Sequence, residues 1–445
     1  MLNEIFKAYD VRGIYNKNLT DEIAYKIGKA LITFLKCKEI IVGYDMRVSS
    51  PKLSKAFMKG VNEAGVDVID IGEVSTDASY FAAGFLNKAA VMFTASHNPP
   101  EYNGLKFSKA GAAPLNYENG LNKVKVIIEN DKYKESKIEG KTIKKNILGD
   151  YAKHVRSFVN SNKLEELKIA VDAGNGMAGK IVPLVFKGLP IKIFPLFFKL
   201  DGTFPNHLAD PSKYENVKDL QETVKKNKCD FGIAFDGDAD RIFFVDENAK
   251  IVNASLIAAL VIKRILSKNK GQKVIYNLIN SKIVPETIRK YSGKPLISRV
   301  GHSFIKDYMK KTNAIFACEH SAHYYFRDNY RADSGIIMSL IIAEIISTEN
   351  KPLSKLLKEF EKYFKIEETN FKVKDKKAMI KKIEQHYKNK NGKISKLDGI
   401  TFDFGDWWFN VRPSNTEPLL RLNLEADSEG LMEEKKEEIL KFISN

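Results

Sequence analysis

The segment DGDADR, residues 236–241, alternates three carboxylates with two small residues between the apolar runs FGIAF and IFFV. Packing alone gives no reason for three like charges there, because unpaired carboxylates near a core are expensive. A divalent cation with oxygen ligands would neutralise them, and Mg²⁺ or Ca²⁺ suits that donor set. Gly237 and Ala239 let the backbone curve so that Asp236, Asp238 and Asp240 can converge. Two other readings stand beside this one. A helical calcium loop fits the first half of the spacing, with Glu247 at its last ligand position. But Arg241 sits where that loop needs glycine, and residues 242–245 read as a strand. A solvated Asp-rich hairpin turn needs no ion.

The stretch AAVMFTASHNPPEYNGLKF, residues 89–107, holds a candidate nucleophile. An apolar strand delivers a polar loop at its carboxyl end, where open α/β sheets place ligands. Ser96 lies in that loop ahead of Pro99 and Pro100, which stop any helix. A hydroxyl so placed can accept and donate a phosphoryl group if a cation lowers the charge barrier. It can equally be a loop serine that makes one turn hydrogen bond. Adjacent side chains usually point apart, so a relay between Ser96 and His97 is not expected. His97 is expected to shape the loop or contact a phosphate. Lys106 is the better candidate for proton transfer or phosphate charge.

RPSNTEPLLR, residues 412–421, resembles an anion cradle: a planar Arg412 fork, hydroxyls at Ser414 and Thr416, and a tight proline-flanked loop exposing backbone N–H groups. A surface turn with a salt bridge to Glu417 is the alternative. ACEHSAHYYFRD, residues 317–328, carries Glu319, His320, Ser321 and His323 after an apolar strand, and His302 lies upstream. These groups could bond sugar hydroxyls; their spacing matches no zinc motif.

The elements that position these loops follow from the pattern. Three Val/Ile-rich runs, starting at Lys38, Leu167 and Gln272, each lead through a polar loop into helical periodicity. This predicts three similar α/β units with largely parallel sheets. The last section, with strand-like FDFGDWWFNV and LLRLNLEA before a final helix from about Gly430, predicts a small α+β domain. A chain of 445 residues is too long for one core. The longest apolar run, residues 336–346, contains Glu344 and is too short for a bilayer, so it reads as a buried helix. The N-terminus MLNEIFKAYD shows no signal peptide, and three scattered cysteines suggest reduced thiols, both expectations of a cytoplasmic protein. Net charge is +16, from 72 Lys and Arg against 56 Asp and Glu. Most of the excess is lysine in amphipathic stretches, so a solvated surface is favoured over a nucleic-acid face, and neither nucleic acid nor membrane is an expected partner.

Together the motifs resemble those of the α-D-phosphohexomutases, most closely the phosphomannomutase/phosphoglucomutase branch. The carriers are KAYDVRG (7–13), TASHNPP (94–100), NGLKF (103–107), DGDADR (236–241), GHSFIK (301–306), CEHSAHYYF (318–326) and RPSNTEP (412–418), in the family's order along the whole chain. The resemblance implies four domains, heart-shaped around a central cleft: 1–147 with a phosphoserine loop, 148–247 with a metal loop, 248–364 with a sugar loop, and 365–445 with a phosphate loop. It implies that Ser96 carries the transferable phosphoryl group and that Asp236, Asp238 and Asp240 hold Mg²⁺ beside it, with Ser96 completing the metal's ligands. Arg12, Lys106 and His302 are the further catalytic candidates. Tyr9, Arg241, Glu319, Ser321, Arg412, Ser414, Asn415, Thr416 and Arg421 are the substrate-binding candidates. The implied reaction moves phosphate between the 1- and 6-oxygens of mannose or glucose through a hexose 1,6-bisphosphate, in a monomer or homodimer. Three residues depart from the pattern: Cys318 stands where relatives usually have glycine, His320 where many have methionine, and Ile279 where many have Lys or Arg, with Lys282 nearby. The competing functions are a metal-dependent phosphatase with a serine nucleophile, a phosphoglucosamine mutase, and a non-catalytic nucleic-acid or sugar-phosphate binding module.

Overall fold

Residues with β-branched or aromatic side chains at successive positions can form strands buried on both faces, which suits a parallel sheet covered by helices. That pattern recurs in the first three sheets of the computed structural model, which describes residues 2–373, 375–414 and 419–444. The first sheet contains β1 (Val11–Ile14), β2 (Glu39–Tyr44), β3 (Asp67–Glu73), β4 (Ala89–Phe93), β5 (Tyr102–Lys109), β6 (Ala113–Pro114) and β7 (Thr142–Lys144). Their order is β1-β5-β4-β2-β3-β7, with β6 beside β5. The second contains β8 (Leu167–Asp172), β9 (Ile191–Leu196), β10 (Phe231–Phe235), β11 (Ile242–Asp246) and β12 (Ile251–Val252), ordered β12-β11-β10-β8-β9. The third contains β13 (Lys273–Asn277), β14 (Lys294–Ser298), β15 (Phe316–Cys318) and β16 (Tyr324–Phe326), ordered β14-β13-β15-β16.

These sheets share one plan. A central strand, β2, β8 or β13, has a parallel neighbour on each side. One neighbour, β4, β10 or β15, then turns back into an antiparallel partner, β5, β11 or β16. The loops at these three turns contain Ser96, the DGDADR aspartates, and Glu319 with Ser321. The likeness predicted from hydrophobic runs is thus a likeness of topology, and each polar motif occupies the same turn of its sheet.

The fourth sheet is antiparallel throughout: β17 (Phe364–Lys365), β18 (Thr369–Lys372), β19 (Lys393–Ser395), β20 (Ile400–Asp403), β21 (Trp407–Pro413) and β22 (Leu419–Ala426). The helix Glu429–Ser444 follows it. The expected division after residue 364 falls inside β17, and the one after 247 precedes β12, which still belongs to the second sheet.

The helix Gly335–Glu349 contains the long apolar run and is buried on every face from 335 to 347, because it lies inside a core shared by the first three sheets. The fourth sheet has its own core, built around Tyr387, Phe402, Phe409 and Leu422. A small cluster in which Trp408 meets Leu278 and Ile279 joins it to the third sheet. Among the described residues, no helix is long and apolar enough to cross a membrane.

Candidate active site

Ser96 has a left-handed backbone, with φ of 51°, at the turn from β4 to β5. Its N–H donates to Thr94 Oγ1 at 2.9 Å, which stabilises a conformation that serine seldom adopts. This backbone turns the Ser96 and His97 side chains to one side, and Ser96 Oγ lies 3.3 Å from His97 Nδ1. The expectation that these neighbours point apart is therefore wrong; it holds for extended chain, and Ser96 is not extended. Burial keeps the His97 ring neutral, and the charges of Arg241 and Arg12 act in the same direction.

The loop is fixed from within by Arg47, which sequence reasoning missed. Its fully buried guanidinium donates to the carbonyls of Ser96 (2.9 Å), Asn98 (2.6 Å), Pro99 (2.8 Å) and Tyr102 (2.9 Å). Asp45 Oδ2 lies 3.4 Å from Arg47 Nε. The available signal was an Asp and an Arg directly after the apolar strand β2, at its carboxyl end.

The aspartate loop comes up against the serine loop closely enough to require glycine. A Cβ on Gly237 would lie 2.5 Å from the Ser96 carbonyl oxygen. Ser96 Oγ donates to Asp236 Oδ2 at 2.5 Å, and Arg241 Nε donates to the same oxygen at 2.9 Å. Burial raises the Asp236 carboxyl to about 7, against the pull of Arg241. Asp238 Oδ2 accepts from Thr76 Oγ1 at 2.5 Å and from Lys106 Nζ at 2.7 Å. Lys106 also donates to Asp240 Oδ2 at 2.5 Å. Burial opposes the charge on Lys106, but the two carboxylates hold its proton far above the usual lysine range. Burial likewise opposes ionisation of Asp240, and Lys106 and His323 hold it well below the usual carboxylate range.

The aspartates fit a hard divalent cation. Each offers an oxygen within 4.8 Å of the others. Two buried oxygens, Asp238 Oδ1 and Asp240 Oδ1, receive no hydrogen bond. Asp240, His323 and Asp333 also each offer a ligand atom within 4.8 Å of the others. In that group, however, Lys306 Nζ lies 2.7 Å from Asp333, and Asp240 draws His323 towards its charged form despite burial, so the charges compensate one another.

The other predicted residues are placed as follows. Arg12 donates to Asn98 Oδ1 and Asp10 Oδ2, both at 2.6 Å, which holds it over the serine loop. Tyr9 reaches from the first unit to the third, where its hydroxyl donates to the Val300 carbonyl at 3.0 Å and its ring meets His302 edge-on. Gly301 permits this contact, since a Cβ there would lie 2.6 Å from the Tyr9 ring. His302 starts the helix His302–Thr312 and is kept neutral by burial and by Lys306 and Lys106. Glu319 Oε1 accepts from Tyr325 at 2.5 Å, while Oε2 accepts from Asn277 at 3.2 Å and from the Gly301 N–H at 3.1 Å. Ser321 Oγ lies 2.9 Å from His323 Nδ1. Cys318 is a core residue. Lys282 points away from the cleft loops to the Gly405 carbonyl and Asp403.

Arg412 and Arg421 are cross-strand partners on β21 and β22. Both pair with Glu368: Arg412 Nη2 at 2.9 Å and Arg421 Nη1 at 2.8 Å. Burial would raise the Glu368 carboxyl, but the two arginines and Asn423 hold it at about 2. Ser414 is buried at the end of this hairpin. Asn415 and Thr416 lie outside the described residues. Glu368 had no sequence signal, because its partners are some fifty positions away.

The chain matches the four domains of phosphoglucomutase/phosphomannomutase in order: alpha/beta/alpha domain I over residues 3–135, domain II over 149–250, domain III over 253–363 and the C-terminal domain over 368–442. A phosphomannomutase of Methanocaldococcus jannaschii is 42% identical over 99% of this chain and 97% of its own. One from Vibrio cholerae is 38% identical over 98% of each. The crystal structure of a phosphoglucomutase/phosphomannomutase family protein from Burkholderia thailandensis has a TM-score of 0.90 at 30% identity, covering 99% of this chain and 97% of that one. With the same four-domain order and matches along its whole length, the chain belongs to the phosphoglucomutase/phosphomannomutase family of the α-D-phosphohexomutase superfamily. It is a phosphohexomutase, an isomerase of carbohydrate metabolism acting on a sugar phosphate.

Proposed function

We propose that this phosphohexomutase moves a phosphoryl group between the 1- and 6-oxygens of mannose or glucose phosphates, with Ser96 as carrier and a hexose 1,6-bisphosphate as intermediate. The observation that carries the reading is the Ser96 hydroxyl, 2.5 Å from Asp236 within a ring of three buried carboxylates. A sugar-phosphate hydroxyl attacks the phosphorus of phosphorylated Ser96, and the P–Oγ bond breaks. The bisphosphate turns end for end, and Ser96 Oγ then takes the other phosphoryl group, which leaves the sugar as its isomer. Such transfer depends on positioning and charge neutralisation.

Asp236, Asp238 and Asp240 would hold a Mg²⁺, with Ser96 beside it, and this ion would neutralise charge on the transferring phosphoryl oxygens. Arg12 and Arg241 provide further positive charge around Ser96. Lys106, whose proton is held tightly, suits charge stabilisation better than proton abstraction. His302, kept neutral at the cleft, suits proton transfer. Arg412, Arg421, Ser414, Asn415 and Thr416 would hold the phosphate that is not reacting, and Tyr9 would line the path between the domains. Glu319 and Ser321 would bond the vicinal hydroxyls at carbons 3 and 4, which nearly exchange places when the sugar turns. Glu319 Oε1 accepts one bond, so it retains acceptor capacity for a sugar hydroxyl. The separate core of the fourth domain supports a cleft that loosens for the turn and closes for chemistry. The domain divisions near 147, 247 and 364, a cytoplasmic setting and a monomer or homodimer complete the reading.

A phosphatase would need no second anion site, and the paired arginines favour the mutase over it. Conversion of glucose 1-phosphate to 6-phosphate, scored against release of free phosphate, tests the proposal. Release without conversion would replace it with hydrolysis, and neither product would leave a binding module.

A further inference from the structure

We propose that Lys365 is a phosphate-binding residue, seated on the Ile279 carbonyl and His320 and joining Arg412 around the non-reacting phosphate of the sugar phosphate. This rests on the mutase reading. Lys365 is the last residue of β17, at the seam between the third and fourth domains. Its Nζ donates to the Ile279 carbonyl and lies 3.2 Å from His320 Nδ1. Two of the three positions where this chain departs from its expected pattern, Ile279 and His320, therefore touch the same lysine.

The ammonium has no carboxylate partner among the described residues. Its cross-strand neighbour is Glu425. But Glu425 Oε1 accepts from the Lys282 N–H at 2.8 Å and from Trp408 Nε1 at 3.0 Å instead. Glu368, the other nearby acid, is taken by Arg412 and Arg421. A half-buried ammonium with no carboxylate in contact is costly, and an anion joining it would offset that cost.

Burial, together with the charges of Lys365 and Arg412, lowers the His320 ring to about 3 against the pull of Glu368, so the neutral ring accepts from Lys365 while the charge of Arg412 also acts on it. A phosphate monoester carries roughly −1.5 to −2 at neutral pH, and Lys365 adds its positive charge to that of Arg412. The buried Arg412 Nε, which has no hydrogen-bond partner, offers a donor to the same anion.

The test is steady-state kinetics with mannose 1-phosphate on enzyme primed with a hexose 1,6-bisphosphate, for wild type, Lys365→Met and Lys365→Arg. Lys365→Met should raise KM about tenfold or more with kcat changed less than about threefold, and Lys365→Arg should recover most of the loss. Burial lowers the Lys365 ammonium to about 8 against the charges of Glu425 and Glu368, and the His320 ring beside it stays neutral. Wild-type KM should therefore climb as pH rises through that value, and the climb should vanish in Lys365→Met and move to higher pH in Lys365→Arg. A KM in Lys365→Met within about twofold of wild type would overturn the assignment. If Lys365→Met does not fold, an unmoved pH limb in Lys365→Arg overturns it. A wild-type enzyme that converts no sugar phosphate would instead sink the mutase reading, and phosphate-induced thermal shifts of wild type and Lys365→Met would then decide Lys365 alone.

Discussion

At the serine end of the site, three carboxylates pair with Lys106 and Arg241, and Asp240 also draws on His323; at the arginine end, among the described residues, Arg412 and Arg421 share Glu368 while Lys365 contacts His320. The first clusters carboxylates and leaves the buried Asp238 Oδ1 and Asp240 Oδ1 without a hydrogen bond, beside an Arg241 Nη2 that lacks an acceptor. The second gathers cations; there the buried Arg412 Nε lacks an acceptor and the buried Glu425 Oε2 lacks a donor. A cation suits one end and a phosphate the other, which is the polarity a mutase needs to hold one phosphate while it moves another. The ends also differ in support. The serine and aspartate loops rise from domains that share one core, whereas the arginine hairpin stands on a core of its own.

The sharpest way to break this comparison is to remove the nucleophile. Ser96→Ala should lower turnover by roughly four orders of magnitude or more while sugar phosphate still binds at the arginine end. Appreciable residual turnover in the purified variant would remove Ser96 from the mechanism. Next in size is the carboxylate ring. Asp238→Asn should lower kcat about 10²–10³-fold, in line with other charge clamps, and a chelator should stop the wild-type enzyme; turnover that survives chelation would refute the metal reading.

Arg47→Lys probes the serine end without touching the reacting atoms. A lysine cannot bond four carbonyls in one plane. We expect kcat to fall about tenfold to a hundredfold with KM little changed, because the loop loses its geometry while the distal anion site is intact. An equal rise in KM would show that the two ends are not separable.

The smallest effect belongs to Glu368. Its carboxyl is held at about 2, so the stability it contributes is present above the ordinary carboxylate pKa and fades as pH falls towards that value. Glu368→Gln should cost about 1–3 kcal/mol in denaturant melts at neutral pH and flatten the acid limb of the stability profile. No change in that limb would mean that the ion pairs are not maintained in solution.

The two ends were unequally legible in the sequence. DGDADR and TASHNPP state their chemistry locally, since charge alternation and a loop after a strand are visible within a few residues. The three strand-rich runs marked the first three sheets, although their common topology emerges only from strand pairing. What escaped was long-range or conformational. Arg47 acts on carbonyls about fifty residues away, and Glu368 and Lys365 gain meaning only when β17, β21 and β22 meet the third domain. The contact between Ser96 and His97 escaped because no local pattern announces a left-handed serine.

The central claim is that Ser96 carries the phosphoryl group. The direct measurement is mass spectrometry of the Ser96 peptide alongside turnover of mannose 1-phosphate. Phosphate-free enzyme should be inactive until a hexose 1,6-bisphosphate is added, and activity should then rise in proportion to the fraction of Ser96 peptide that gains one phosphoryl group. Full activity of demonstrably phosphate-free enzyme without that primer would contradict the account.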